Sequence, residues 1–183
     1  MANIVVENLI LSTQINQTLD LNEIETFFSD ASYEPDQLPA VICKYHNPSR
    51  VVFITTQGRI MCTGSKTKED ATQAIDETIM LLKENNVIDE STKSTIHIES
   101  LVISKNLNVS LPLASIQTKL PSDQCTYHPS SHPWLEYRNS LYSMLLFSSG
   151  NIICTGKLSL EESKQAFKNI EDKLTSIGCN VTE

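Results

Sequence analysis

The sequence lacks any apolar run approaching the ~18 residues a helix needs to cross a bilayer, so no membrane span is expected. The opening MANIVVENLI has no basic segment ahead of its short apolar stretch and does not read as a signal peptide. Positive charge is scarce: 14 Lys and Arg stand against 22 Asp and Glu, a formal net charge of −8. The deficit is uneven. Residues 1–91 carry 6 basic and 14 acidic side chains, and residues 92–183 carry 8 of each. Polyanion-binding proteins are usually basic overall. That weighs against nucleic acid without excluding it, because affinity follows the charges lining the contact face rather than the sum. No nucleophile–base–acid triad and no paired-carboxylate arrangement is visible, so no enzyme is expected. The five cysteines are an odd number, and Cys43, Cys62 and Cys154 sit in apolar strand-like runs. They read as reduced, mostly buried and intracellular. Hydrophobic residues make up 40% of the chain, enough for a sizeable core.

What the chain does have is a duplication. GRIMCTGSKTKEDA (58–71) is answered by GNIICTGKLSLEES (150–163), so that Gly58, Cys62, Thr63 and Gly64 recur as Gly150, Cys154, Thr155 and Gly156, an offset of 92. The same offset carries Ile4–Leu9 onto Ile96–Leu101, and Leu19, Leu21 and Ile24 onto Leu111, Leu113 and Ile116. Between these blocks YEPDQLPAVICKY (33–45) answers YHPSSHPWLEYR (127–138) at an offset of 94, so two residues are inserted and later removed. Repeats of this kind imply one pseudo-symmetric body with two related surfaces. The expected repeats are 1–91 and 92–183.

Each copy reads as strand, short helix, about four strands and long helix. Ile4–Ser12 is a strand, and Asp20 opens a short helix with Leu21, Ile24, Phe27 and Phe28 at helical spacing. Ala40–Tyr45, Val51–Thr56 and Arg59–Thr63 are strands, separated by turns at 47–49 and 57–58. Thr67–Asn85 is a long helix with Ala71, Ala74, Ile75, Thr78, Ile79 and Leu82 in one stripe; Leu158–Ile177 is its counterpart. Helices then cover one face of an antiparallel sheet and leave the other open. Period-2 alternation puts Val51, Phe53 and Thr55, then Arg59, Met61 and Thr63, on the open face, with Ile60 and Cys62 beneath the helices. In the second copy Leu145, Phe147, Asn151, Ile153 and Thr155 share that face.

These motifs resemble the conserved core of the TATA-box-binding proteins over nearly all of residues 3–179. The carriers are YEPDQLPAVICKYHNP, GRIMCTGSKTKEDA, LLFSSGNIICTG and the duplication itself. A single G-x-x-x-CTG is weak; two, each preceded by Tyr-x-Pro and a strand, are specific. The resemblance implies an α+β saddle: a curved ten-stranded antiparallel sheet of two pseudo-symmetric repeats, helices on the convex side and the DNA minor groove under the concave side. It also implies bending by inserted apolar wedges, a known property of the family. Asn8 matches an asparagine that bonds minor-groove acceptors, with Ser100 as its departed counterpart. Thr63 and Thr155 match threonines that contact base edges. Ile10, Val102, Met61, Leu145 and Ile153 fall on the apolar surface, which suits A·T pairs because a G·C pair places an amino group in the groove. Lys44, Arg59, Lys66 and Arg138 match positions flanking phosphates, and Asn151 stands where the family has lysine.

The four wedge positions, phenylalanines in the family, hold Leu38 and Thr55 in the first copy and His132 and Phe147 in the second. Phe53, two residues before Thr55 on the same face, is a candidate replacement. A bend smaller or less symmetric than the family's is therefore expected. The implied partners are A/T-rich double-stranded promoter DNA, a transcription factor B-type protein and the RNA polymerase machinery, with a homodimer allowed in the absence of DNA. The second-copy loop Tyr127–His132 has no acid of the kind that holds factor B; the first copy keeps Glu34 and Asp36. The chain starts at Met1 with the core itself, as minimal members do. Its place of work is the nucleus in a eukaryote or the nucleoid in an archaeon.

Plainer readings stand beside these. Thr63 and Thr155 also suit a duplicated strand as β-formers, and Lys44 and Arg138 suit a solvated sheet face. Cys125-x2-His128-x3-His132, with Cys43-x2-His46, has zinc-like spacing, but the family binds no metal there, and no metal or cofactor is expected. Trp134 is read as a packed residue at a strand start. Three roles remain open: a TATA-box-binding protein, a related factor with weakened DNA bending that acts through protein partners, and an unrelated binding role.

Overall fold

The structure, a computed structural model, describes residues 4–181. Its described elements are β1 (Val5–Gln14), α1 (Leu21–Glu25), β2 (Ala31–Tyr33), β3 (Ala40–His46), β4 (Ser49–Thr55), β5 (Arg59–Ser65) and α2 (Lys68–Glu84). There follow β6 (His97–Asn106), α3 (Leu113–Lys119), β7 (Cys125–Tyr127), β8 (Trp134–Arg138), β9 (Tyr142–Phe147), β10 (Asn151–Gly156) and α4 (Leu160–Ser176). The strands form a ten-stranded antiparallel sheet in the order β2-β3-β4-β5-β1-β6-β10-β9-β8-β7. This is an α+β fold in which strand, helix, four strands and helix occur twice. Of the expected repeats 1–91 and 92–183, residues 1–3 and 182–183 lie outside the described residues. Two compact units are present: Asn8–Glu99, and the residues before Asn8 together with those from Ser100 onward. No helix among the described residues is long and apolar enough to cross a membrane.

The duplication is repeated in the pairing. Thr63 faces Val51 and Met61 faces Phe53 in the first copy; Thr155 faces Ser143 and Ile153 faces Leu145 in the second. Thr63 and Thr155 therefore occupy equivalent strands. The 94-residue offset is matched in the loops: the Gln37 and Leu38 N–H groups both donate to the Glu34 carbonyl, and those of Ser131 and His132 to that of His128. Helix caps recur as well. Thr67 Oγ1 accepts from the Asp70 N–H (3.2 Å) at the start of α2, and Ser159 Oγ from the Glu162 N–H (3.2 Å) at the start of α4. Glu162 completes a capping box by accepting from the Ser159 N–H at 2.7 Å.

Alternation builds the core. Val52, Ile54, Ile60 and Cys62 are fully buried beneath Ala71, Ala74, Ile75 and Leu82 of α2; Met144, Leu146, Ile152 and Cys154 are buried in the unit of α4, whose Phe167 and Leu174 are also buried. Buried polar groups are matched. Tyr45 donates to Thr78 Oγ1 (2.8 Å), which donates to the Ala74 carbonyl (2.8 Å). Arg50, 4% exposed, donates to the Asp70 and Pro48 carbonyls and lies 5.4 Å from the Tyr45 ring centroid.

Some boundaries differ from the sequence expectation. β1 continues two residues past Ser12, where Thr13 and Gln14 pair with Ile60 and Arg59 of β5, and the Ser12 and Thr13 hydroxyls donate to Glu99 (2.6 Å) and the Thr95 carbonyl (3.0 Å). β2 and β7 are three-residue edge strands, too short to show a period. α4 begins at Leu160 rather than Leu158, set by its Ser159 cap.

Gly58 and Gly150 close the hairpins at φ +79° and +86°, and a Cβ on either would stand 2.2 Å from a backbone oxygen, that of Ile15 or Val109. Gly58→Ala is expected to cost about 1–3 kcal/mol or more, seen as a lower denaturant midpoint. Gly178→Ala, at φ +93° but with nothing within 4 Å, should cost less. Equal losses would contradict the steric account. Cysteine reactivity gives a second check. Cys43, Cys62, Cys125 and Cys154 are buried, and Cys179 is partly exposed. Burial pushes the Cys43 and Cys154 thiols up to about 12. A disulfide reagent at neutral pH should modify Cys179 first and reach the other four only on unfolding.

Candidate nucleic-acid interface

In the unit Asn8–Glu99 the open face is built by β3, β4, β5 and β1. Pairing lines up Ile42, Phe53, Met61 and Ser12 as one row and Lys44, Val51 and Thr63 as another. Phe53, Met61 and Ile10 are half-buried, and Lys44 is exposed. The β1–β5 register shifts between Leu9 and Leu11, and Asn8 serves this irregularity. Its Oδ1 accepts from the Gly64 N–H at 2.9 Å, while its Nδ2 donates to Thr63 Oγ1 at 3.0 Å. The carbonyl end is thus anchored, and the amide keeps a second N–H to donate.

Leu38 is 39% exposed in the turn before β3. Thr55 ends β4, and its Oγ1 accepts from the Arg59 N–H at 3.1 Å. Its side chain therefore helps close the hairpin.

In the other unit the open face carries Ser100 and Val102 of β6, Ile153 and Thr155 of β10, Leu145 and Phe147 of β9, and Trp134, Glu136 and Arg138 of β8. Val102 faces Thr155, Ile153 faces Leu145, Leu145 faces Glu136, and Phe147 faces Trp134. Ser100 makes no bond corresponding to that of Asn8, and the β10–β6 register runs unshifted from Asn151 to Gly156. His132 stacks on Trp134, with ring centroids 4.6 Å apart and planes 14° apart; Trp134 and Phe147 lie at 6.0 Å and 55°. Trp134 opens β8 half-buried on the open face and packs against these two rings, in keeping with its reading as a packed residue at a strand start. Its neighbour Leu135 turns into the core, opposite Leu146.

The electrostatics were not legible from the motifs. Both arginines expected near phosphates are paired with carboxylates. Arg59 lies 3.3 Å from Glu99, and Arg138 2.5 Å from Glu136. The Arg138 hydrogen bond, with help from the Ser143 hydroxyl at 2.9 Å, holds the Glu136 carboxyl below its ordinary range. Glu136 could have been found by alternation, since it lies between Trp134 and Arg138 with the same facing. Glu99 depends on pairing that sequence does not state.

No group of three or more His, Cys, Asp and Glu among the described residues could hold a metal ion. Cys125 is buried, His132 is stacked, and His46 bonds Asp30 at 2.7 Å.

Comparisons with known proteins agree with this architecture. The family model described as "Transcription factor TFIID (or TATA-binding protein, TBP)" matches residues 3–85 and 95–177. The TATA-box-binding protein of Archaeoglobus fulgidus is 34% identical over 177 residues, covering 94% of this chain and 95% of its own. That of Methanocaldococcus jannaschii is 33% identical over 172 residues, covering 93% and 92%. A solved structure, Methanococcus jannaschii TBP, matches with a TM-score of 0.82 at 32% identity, covering 95% of this chain and 99% of that one. Matched in both copies, over nearly its whole length and in its fold, the chain belongs to the TATA-binding protein family.

Proposed function

We propose that this chain is a general transcription initiation factor. It binds the minor groove of A/T-rich promoter DNA and recruits the polymerase machinery, with no catalytic step of its own. The observation that carries this reading is the Asn8–Thr63–Gly64 unit set among apolar side chains. A·T pairs present only acceptors in the minor groove, adenine N3 and thymine O2, whereas G·C adds an amino donor. Asn8 keeps an N–H donor, and the Thr63 and Thr155 hydroxyls can donate. Ile10, Met61, Phe53, Val102, Leu145 and Ile153 offer no acceptor to a guanine amino group. The partners are A/T-rich promoter duplex and a factor B-type protein. For the latter the first-copy loop supplies Glu34 and Asp36, whereas the second-copy loop has no acid. The archaeal source of the relatives favours the nucleoid as its place of work. Changing Thr63 and Thr155 together to glutamate should abolish binding in a gel shift on an A/T-rich duplex while leaving the circular dichroism intact. Ordinary binding by that variant would sink the minor-groove reading.

One observation favours the alternative of a related factor that bends DNA weakly and acts through protein partners: the Arg59–Glu99 and Arg138–Glu136 pairs. A guanidinium shared with a carboxylate contributes less to phosphate binding, and the acid itself repels phosphate. Each phosphate neutralised adds about 0.9 to the slope of log affinity against log salt. Glu136→Gln should therefore tighten binding at low salt and steepen that slope by about one. An unchanged slope would mean that Arg138 does not meet a phosphate and would favour the alternative.

A further inference from the structure

The aromatic side chains of the open face are unevenly divided. The turn that carries Leu38 in one unit carries His132 in the other, with the same hydrogen bonds. The positions that follow hold Ala40 opposite Thr55 in the first copy and Trp134 opposite Phe147 in the second. One unit thus presents a single exposed leucine beside a threonine engaged in hairpin closure. The other presents three rings in a row of contacts, Trp134 touching both His132 and Phe147, with His132 exposed and Trp134 and Phe147 half-buried.

Building on the DNA-binding reading, we propose that Trp134 is the principal base-stacking residue of this interface and that the imidazole of His132 and the ring of Phe147 hold it in place. Three observations carry this. The indole lies on the open face, because the next residue, Leu135, is fully buried on the other. It is bracketed before DNA arrives, by His132 at 4.6 Å and near-parallel and by Phe147 at 6.0 Å and tilted, so little rotamer freedom is left to lose on binding. Its π surface is the largest on this face, and stacking on a base tolerates any sequence because every base has a π face. The base step opened here is one that unstacks readily, such as a pyrimidine–purine step. The unit that carries Leu38 and Thr55 has Phe53 on its open face but no comparable stacked set of rings, so the deformation is concentrated at the Trp134 end and the bound protein has a polarity.

Trp134 is the single tryptophan of the chain, so its fluorescence reports on it alone. Titration of the wild-type protein with an A/T-rich duplex carrying 2-aminopurine at one terminal step should quench the indole and brighten the 2-aminopurine. Trp134→Ala should weaken binding about tenfold and abolish the brightening. Trp134→Phe should retain part of both, and His132→Ala should weaken the quench without abolishing it. If the duplex is bound, as a gel shift shows, while the indole emission is unchanged, the inference is overturned and the DNA-binding reading survives. The inference falls equally if Trp134→Ala, folded by circular dichroism, brightens 2-aminopurine as the wild type does. Failure of the wild-type protein to bind any A/T-rich duplex overturns both.

Discussion

The rest of the structure depends on the two-residue division of its strands into a buried and an open side. Alternate side chains along the middle of β4, β5, β9 and β10 (Val52 and Ile54, Ile60 and Cys62, Met144 and Leu146, Ile152 and Cys154) are removed from water, at about 1.5–3 kcal/mol for each large aliphatic side chain. A slip of one residue would bring Ile54, Ile60, Leu146 and Ile152 to the surface together. Register in these strands is thereby fixed chiefly from the buried side. The open face is in turn released from any duty to the core, and its side chains can be chosen for what they touch outside the molecule.

That freedom is used unevenly. The Asn8 bond to Gly64 occupies a β-bulge in one copy, and the other copy has neither the bulge nor the asparagine. Charge is handled in a related way. Both paired arginines sit near the ends of strands, each with its acid across or along the sheet, so the face keeps guanidinium geometry while its field is partly cancelled. A surface that must find DNA without adhering to every polyanion gains from such cancellation, because nonspecific affinity rests on net phosphate neutralisation. The overall charge of −8 acts in the same direction.

Much of the fold was legible because duplication doubles every signal. Thr67 and Asn85 were expected to bound α2 and are its two caps. The facing of Arg59, Met61 and Thr63 followed from alternation. β2 and β7 were not legible, since three residues cannot establish a period and edge pairing is decided by the partner strand. The extension of β1 was hidden because Ser12 and Thr13 read as a strand end until their acceptors, Glu99 and the Thr95 carbonyl, are brought near by the fold. The candidate site was legible as a set of positions and less so as a set of interactions. Thr55 differs from a wedge in chemistry, but its bond to the Arg59 N–H appears only when the turn is closed. Trp134 was expected to pack at a strand start and does, but its stacking with His132 was not legible.

The matching registers and turns of the two copies have an evolutionary consequence. Had the same surface been assembled from two identical subunits, any substitution would have appeared twice, once on each symmetry-related face. Joining the copies in one chain removes that coupling. Phenylalanine stands at 147 while threonine stands at the matching position 55, and tryptophan stands at 134 while alanine stands at 40. A symmetric ancestor could only have graded its grip on a palindrome. A tandem chain can let one half become specialised in deforming its target while the other merely holds it, and so can distinguish upstream from downstream on a site that is itself nearly symmetric.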